Sequence, residues 1–177
     1  LLDDLHEFER TRNERPKESF YCLQPIVVIP REGGEWEVID GQQRLTTLLL
    51  VLSTLEQVFV LLGKTPFSLK YDTRPGSADF LAKPDEDRHE DNIDYFHLFR
   101  AQQTIREWFD AQDGGVRINL LNCLLAPEDR NVQVIWYELP EGANPIDVFV
   151  RLNVGKIRLT NAEPVSYTHL TLPTNGC

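Results

Sequence analysis

The run Val38-Ile39-Asp40-Gly41-Gln42-Gln43-Arg44-Leu45-Thr46-Thr47-Leu48 constrains this chain more than any other. A β-branched pair leads into an Asp-Gly turn, two amides and a guanidinium follow, and a long apolar stretch then begins. That order predicts a strand handing over to a helix, with polar groups gathered at the joint. The first turn of a helix has backbone N–H groups without intrahelical partners and a partial positive charge, so it can hold an anion. Gly41 can adopt a positive φ and lets a ligand approach the backbone. Arg44 can grip a phosphate or carboxylate through two parallel hydrogen bonds. These residues point to an anion or nucleotide pocket and leave the ligand open.

The flanking sequence supplies the other elements. Leu1, Leu2, Leu5 and Phe8 recur at helical spacing, which predicts an amphipathic helix to about Arg12. Ile26-Val27-Val28-Ile29 reads as a strand bounded by Pro25 and Pro30, and Phe20 to Leu23 as extended or a short helix. Gly33-Gly34 marks a hairpin turn, with Trp36 to Ile39 as the returning strand that delivers Asp40 to the joint. A long helix is expected from Gln43 to about Leu62, ended by Gly63, apolar on most sides and therefore central. Phe67–Tyr71 and Val132–Glu138 read as strands, Ile93–Asp110 as a strong helix, and Val116–Leu125 as ambiguous. Asp72–Asp91, with its prolines and acidic run, is expected to be a solvated loop.

With 177 residues and 41% apolar content, the chain has room for one domain with a true core. Its net charge of −10 argues against a broad electrostatic DNA-binding face while leaving room for a local basic pocket. No apolar run is long enough to span a membrane, because Thr46, Thr47, Ser53, Thr54, Glu56 and Gln57 interrupt the stretch from Leu45 to Leu62. Cys22 and Cys123 lie in apolar surroundings and are expected to be buried, reduced thiols of a cytosolic, hence cytoplasmic, protein. No Cys-x-x-Cys or His-x-x-x-His pair suggests zinc.

Both ends need separate treatment. The chain starts inside an amphipathic pattern and has no Met, so it reads as an internal fragment of a longer gene. Val165-Ser166-Tyr167-Thr168-His169-Leu170-Thr171-Leu172-Pro173-Thr174 resembles the conceptual translation of a transposase sequencing adapter, with Pro164 as a junction and Asn175 to Cys177 as read-through. The expectation is that residues 1–163 are native and 164–177 are not. The alternative is a natural terminal strand, for which Tyr-Thr-His-Leu-Thr-Leu has a suitable composition.

A second polar grouping stands at Asp147 to Glu163. A helix opening at Pro145 and bearing Phe149 and Leu152 is expected to end near Asn153, and Gly155 supplies a turn. Thr160 and Glu163 have capping-box spacing. A helix connection accounts for Gly155, Thr160 and Glu163, but less well for Arg151 and Asn153, which can line a pocket opposite Arg44.

Together these residues resemble the N-terminal domain of GmrSD-type restriction endonucleases. That family carries a DGQQR motif, here Asp40-Gly41-Gln42-Gln43-Arg44, and a later motif whose positions are here Phe149, Arg151, Asn153, Gly155, Leu159 and Glu163. The resemblance covers Leu1 to Glu163 and makes that span an incomplete domain, because a Tyr-Gln-Arg element before Leu1 and helices after Glu163 are absent. It implies an α+β fold similar to ParB and sulfiredoxin, a small mixed sheet flanked by helices. It also implies NTP binding and hydrolysis, with DNA cleavage left to an HNH-type nuclease domain, fused or separate. The implied partners are a nucleotide and phage or foreign DNA, often with modified bases, and no membrane.

Three functions follow for the joint. In an NTPase site, Gly41, Arg44, Arg151 and Asn153 would bind the nucleotide, Gln42 and Gln43 would orient water, and Asp40 would act as base or hold Mg²⁺. In a metal-dependent nuclease, Asp40 would need carboxylate or His partners that show no fixed spacing. In a non-catalytic recognition or assembly module, Asp40, Gln42 and Arg44 would form a network locking strand to helix.

Overall fold

The computed structural model describes residues 1–56, 63–71, 76–127, 130–140, 142, 144, 146, 150 and 168–171. Helix α1 spans Leu2–Thr11 and presents Leu5 and Phe8 to the interior. Strand β1 spans Tyr21–Pro30 and returns through a Gly33-Gly34 turn into β2, Glu35–Asp40. Helix α2 spans Gln42–Thr54 and buries Leu45, Leu49, Leu50 and Val51. Then come β3 (Ser68–Tyr71), α3 (Ser77–Ala82), α4 (Ile93–Asp110), α5 (Val116–Leu125), β4 (Val132–Glu138) and β5 (Thr168–Thr171). The fold is α+β, as expected.

The five strands form one mixed sheet in the order β3-β5-β2-β1-β4. The hairpin pairs β1 antiparallel to β2, with Val28 opposite Val38, while β4 runs parallel to β1 on its other side. A parallel neighbour needs a crossover, and the helical stretch between β2 and β4 provides it. Among the described residues, helices α1 to α5 contribute to the core over one face. Leu5, Ile26, Val28, Val38, Leu50 and Phe109 belong to the main core there. The opposite face buries Val27, Ile29, Ile39 and Leu139. Four consecutive buried residues in β1 thus mark a strand covered on both faces, which explains its continuous rather than alternating apolar run.

Several sequence expectations need correction. The strand seen at Ile26–Ile29 begins earlier, at Tyr21, and passes through Pro25. Proline cannot donate to the ladder, and the β1–β4 register shifts between Leu23 and Ile26 to accommodate it. The expected loop at Asp72–Asp91 contains α3, whose Phe80 and Leu81 are fully buried, and Phe80 stacks on Tyr95 at 4.1 Å. Polar composition concealed two apolar anchors there. Cys22 is exposed rather than buried, because its strand position points away from the core, whereas Cys123 is buried. Helix α2 closes at Thr54 with Leu55 as its C-cap, and the continuation expected to Leu62 falls at residues 57–62, outside the described residues.

Candidate functional site

The joint between β2 and α2 forms as its residue types demand. Asp40 ends the strand, and Gly41 turns the chain with φ 103° and ψ 8°. That conformation favours glycine, and the space does too: a Cβ there would lie 3.0 Å from Ile26 Cγ1 and 3.3 Å from Ile26 Cα. Gly41 brings no side-chain cap to α2, so the first-turn N–H groups receive none from the N-cap position.

Arg44 lies one helical turn beyond Asp40 and reaches back over the joint. Its Nη1 donates to Gln24 Oε1 at 2.8 Å, and its Nη2 donates to the Pro25 carbonyl at 2.5 Å and to Asp40 Oδ2 at 3.2 Å. The guanidinium therefore ties three places together: the irregularity in β1, the end of β2 and the start of α2. Its Nε is buried with no hydrogen-bond partner. Asp40 and Arg44 keep 19% and 26% of their side chains exposed, so the pair is open on one side. Gln42 is turned inward and donates through Nε2 to the Val38 carbonyl at 3.1 Å. Gln43 is exposed at the helix start. On the next turn, Thr46 Oγ1 bonds the Gln42 carbonyl at 2.9 Å and meets the Tyr71 hydroxyl at 2.5 Å.

The structure thus brings Asp40, Gly41, Gln42, Gln43 and Arg44 to one place. Arg151 and Asn153, and with them Phe149, Gly155, Leu159, Thr160 and Glu163, lie outside the described residues. Sequence reasoning missed Gln24 and Pro25 as acceptors for Arg44. The available signal was Pro25 itself, since a proline beside an apolar strand marks a bulge whose carbonyls are released from the ladder. Among the described residues there is no group of three or more His, Cys, Asp or Glu side chains placed to share a metal ion. An open groove of about 570 Å³ runs elsewhere, between α1 and the start of α5, lined by His6, Glu9, Arg10 and Asn119 with charges of both signs. Among the described residues, no helix is long and apolar enough to cross a membrane.

Comparison with known proteins bears on the whole chain. The family model of the GmrSD restriction endonuclease N-terminal domain matches residues 1–169. No curated protein and no solved structure matches. The family match spans nearly all of the chain, so this protein belongs to the GmrSD restriction endonuclease N-terminal domain family, and its role is in restriction.

Proposed function

We propose that the β2–α2 joint binds a nucleoside triphosphate and supports its hydrolysis within a modification-dependent, phage-defence restriction system. The observation that carries this reading is the start of α2: its N-cap is a glycine that brings no side-chain cap and packs against Ile26 beside the Arg44 guanidinium. Such a terminus favours phosphate oxygens through its N–H groups and its dipole. Arg44 adds a fixed positive charge beside it, and its acceptors Gln24 and Pro25 hold it in place. In this reading Asp40, at the rim of the same joint, would hold Mg²⁺ together with phosphate oxygens, an arrangement that needs only one or two protein carboxylates. Gln43, exposed at the helix start, would position the attacking water. The joint would then correspond to the one ParB-like folds use for nucleotide phosphates, with DNA cleavage carried out by an HNH-type nuclease domain.

A specific observation favours a second reading. The terminal nitrogens of Arg44 already hold Gln24, Pro25 and Asp40, as a structural lock in a non-catalytic recognition or assembly module would. The two readings separate in a thermal-shift screen of the four NTPs with Mg²⁺ on the full-length restriction protein. Gln43→Glu is the informative variant. A carboxylate in the first helical turn stabilises the helix by up to about 1 kcal/mol, yet it repels phosphate. The nucleotide reading expects a shift selective for one NTP that is lost in Gln43→Glu while the melting temperature of the free variant holds or rises. A folded protein that responds to no NTP would leave the assembly reading.

A further inference from the structure

β2 and β3 do not pair with each other; they stand on either side of β5, which runs antiparallel to both. Two strand spacings, about 9.6 Å, separate them, the width that one strand fills. The walls of this slot are held by contacts other than those with β5. Leu69 is buried in the main core, Tyr71 packs against that core, and the Tyr71 hydroxyl meets Thr46 of α2. Helix α3 also packs on β3. β2 is held on its far side by β1.

The two faces of the slot differ. On the helix side, position 170 lies between Trp36 and Leu69, and position 168 between Val38 and Tyr71. Val38 and Leu69 are buried, so these two rows suit apolar or β-branched residues. On the other side, position 169 lies between Glu37 and Lys70, and position 171 between Glu35 and Ser68. There, Lys70 Nζ of β3 reaches Glu35 Oε1 of β2 at 2.5 Å, so this ion pair spans the intervening strand. The Thr-His-Leu-Thr stretch meets both requirements, although it lies in the part of the chain that resembles an adapter translation. Backbone pairing and alternation, rather than a particular sequence, satisfy the slot.

We infer that the gap between β2 and β3 is a strand-acceptor site. It binds an extended peptide antiparallel to both edges, apolar or β-branched at the two positions facing Trp36 and Val38, with Lys70 and Glu35 closing over it as a clasp. Main-chain hydrogen bonds supply affinity in this mode, and the alternate side-chain positions supply selectivity. Thr168–Thr171 occupies the site in cis; the ligand in trans is a peptide of the same alternation. This inference does not depend on the nucleotide reading.

The test uses the whole 177-residue chain carrying His169→Pro. Proline removes a ladder donor from the interior of β5 and leaves the slot walls unchanged. The probe is a fluorescent synthetic peptide spanning residues 166–173, followed by anisotropy. Saturable binding to the variant is expected, at least about tenfold tighter than to the unaltered chain, whose tethered strand competes at roughly millimolar effective concentration. Adding Lys70→Ala should weaken binding by up to about fivefold, the worth of an exposed ion pair. A peptide with Thr168→Asp and Leu170→Asp should not bind. A variant that is folded by circular dichroism yet binds no peptide would overturn the inference. If His169→Pro does not fold, amide hydrogen exchange on the unaltered chain decides. Exchange at residues 168–171 at least about tenfold faster than at Ile26–Ile29 supports a replaceable strand; equal protection overturns it.

Discussion

Arg44 makes its hydrogen bonds to three acceptors from two strands, and losing them leaves the Gln24 amide, the Pro25 carbonyl and the Asp40 carboxylate without that partner. Arg44→Ala should therefore cost about 2 kcal/mol of stability, read as a lower urea midpoint. Arg44→Lys should recover less than half of the loss, because an ammonium cannot present the forked geometry that spans the three acceptors. Gly41→Ala should cost about 1–3 kcal/mol, since it combines a positive φ with a close approach to the Ile26 backbone. The two cysteines among the described residues, Cys22 and Cys123, should separate cleanly. Iodoacetamide mapping by mass spectrometry is expected to label Cys22 in the folded protein and Cys123 only after denaturation. Burial raises the Cys123 pKa, with Arg12 opposing and Glu9 adding to the rise. The folded state thus keeps the thiol protonated where the unfolded chain would ionise. Its stabilising contribution is complete below the ordinary thiol range and is lost as pH climbs through the raised value. Urea midpoints at pH 7 and pH 10 should fall less in Cys123→Ala than in the unaltered chain.

At the scale of elements, α4 is the most self-sufficient piece. Asn92 caps it by accepting from the Tyr95 N–H at 2.9 Å, and its apolar face buries Tyr95, Phe99, Ile105 and Phe109. Asn92→Ala should cost about 1 kcal/mol in urea unfolding. Elements with this local logic were legible in the sequence. Ile93–Asp110 and Val132–Glu138 appear with the expected bounds, and the hairpin forms around Gly33-Gly34. α3 was hidden because its two buried residues, Phe80 and Leu81, sit in a polar, proline-containing stretch whose average composition outweighs them. The length of β1 was hidden for a related reason. Pro25 is a local stop signal, and only pairing with β4 on both sides of the bulge carries the strand through it.

For the whole molecule, charge sets the expectation. A net charge of −10 opposes the phosphate backbone, so this chain alone should show no duplex DNA binding at physiological salt tighter than about 10⁻⁴ M by fluorescence anisotropy. Binding in the micromolar range would require a basic surface that the composition does not provide, and would move the domain from a nucleotide or assembly role to direct DNA contact.

The β2–α2 joint could be read from the chain alone, because strand, glycine turn and helix start are written in consecutive residues and depend on local sterics and capping. The sequence also carried the α+β class and the family. The partners of the joint's charges, by contrast, are set by long-range packing. Arg44 finds Gln24 and Pro25 some 20 residues earlier because a bulge in β1 is folded against the start of α2. The sheet order, which brings Thr168–Thr171 between β2 and β3, likewise follows from long-range pairing of edges that no local pattern specifies.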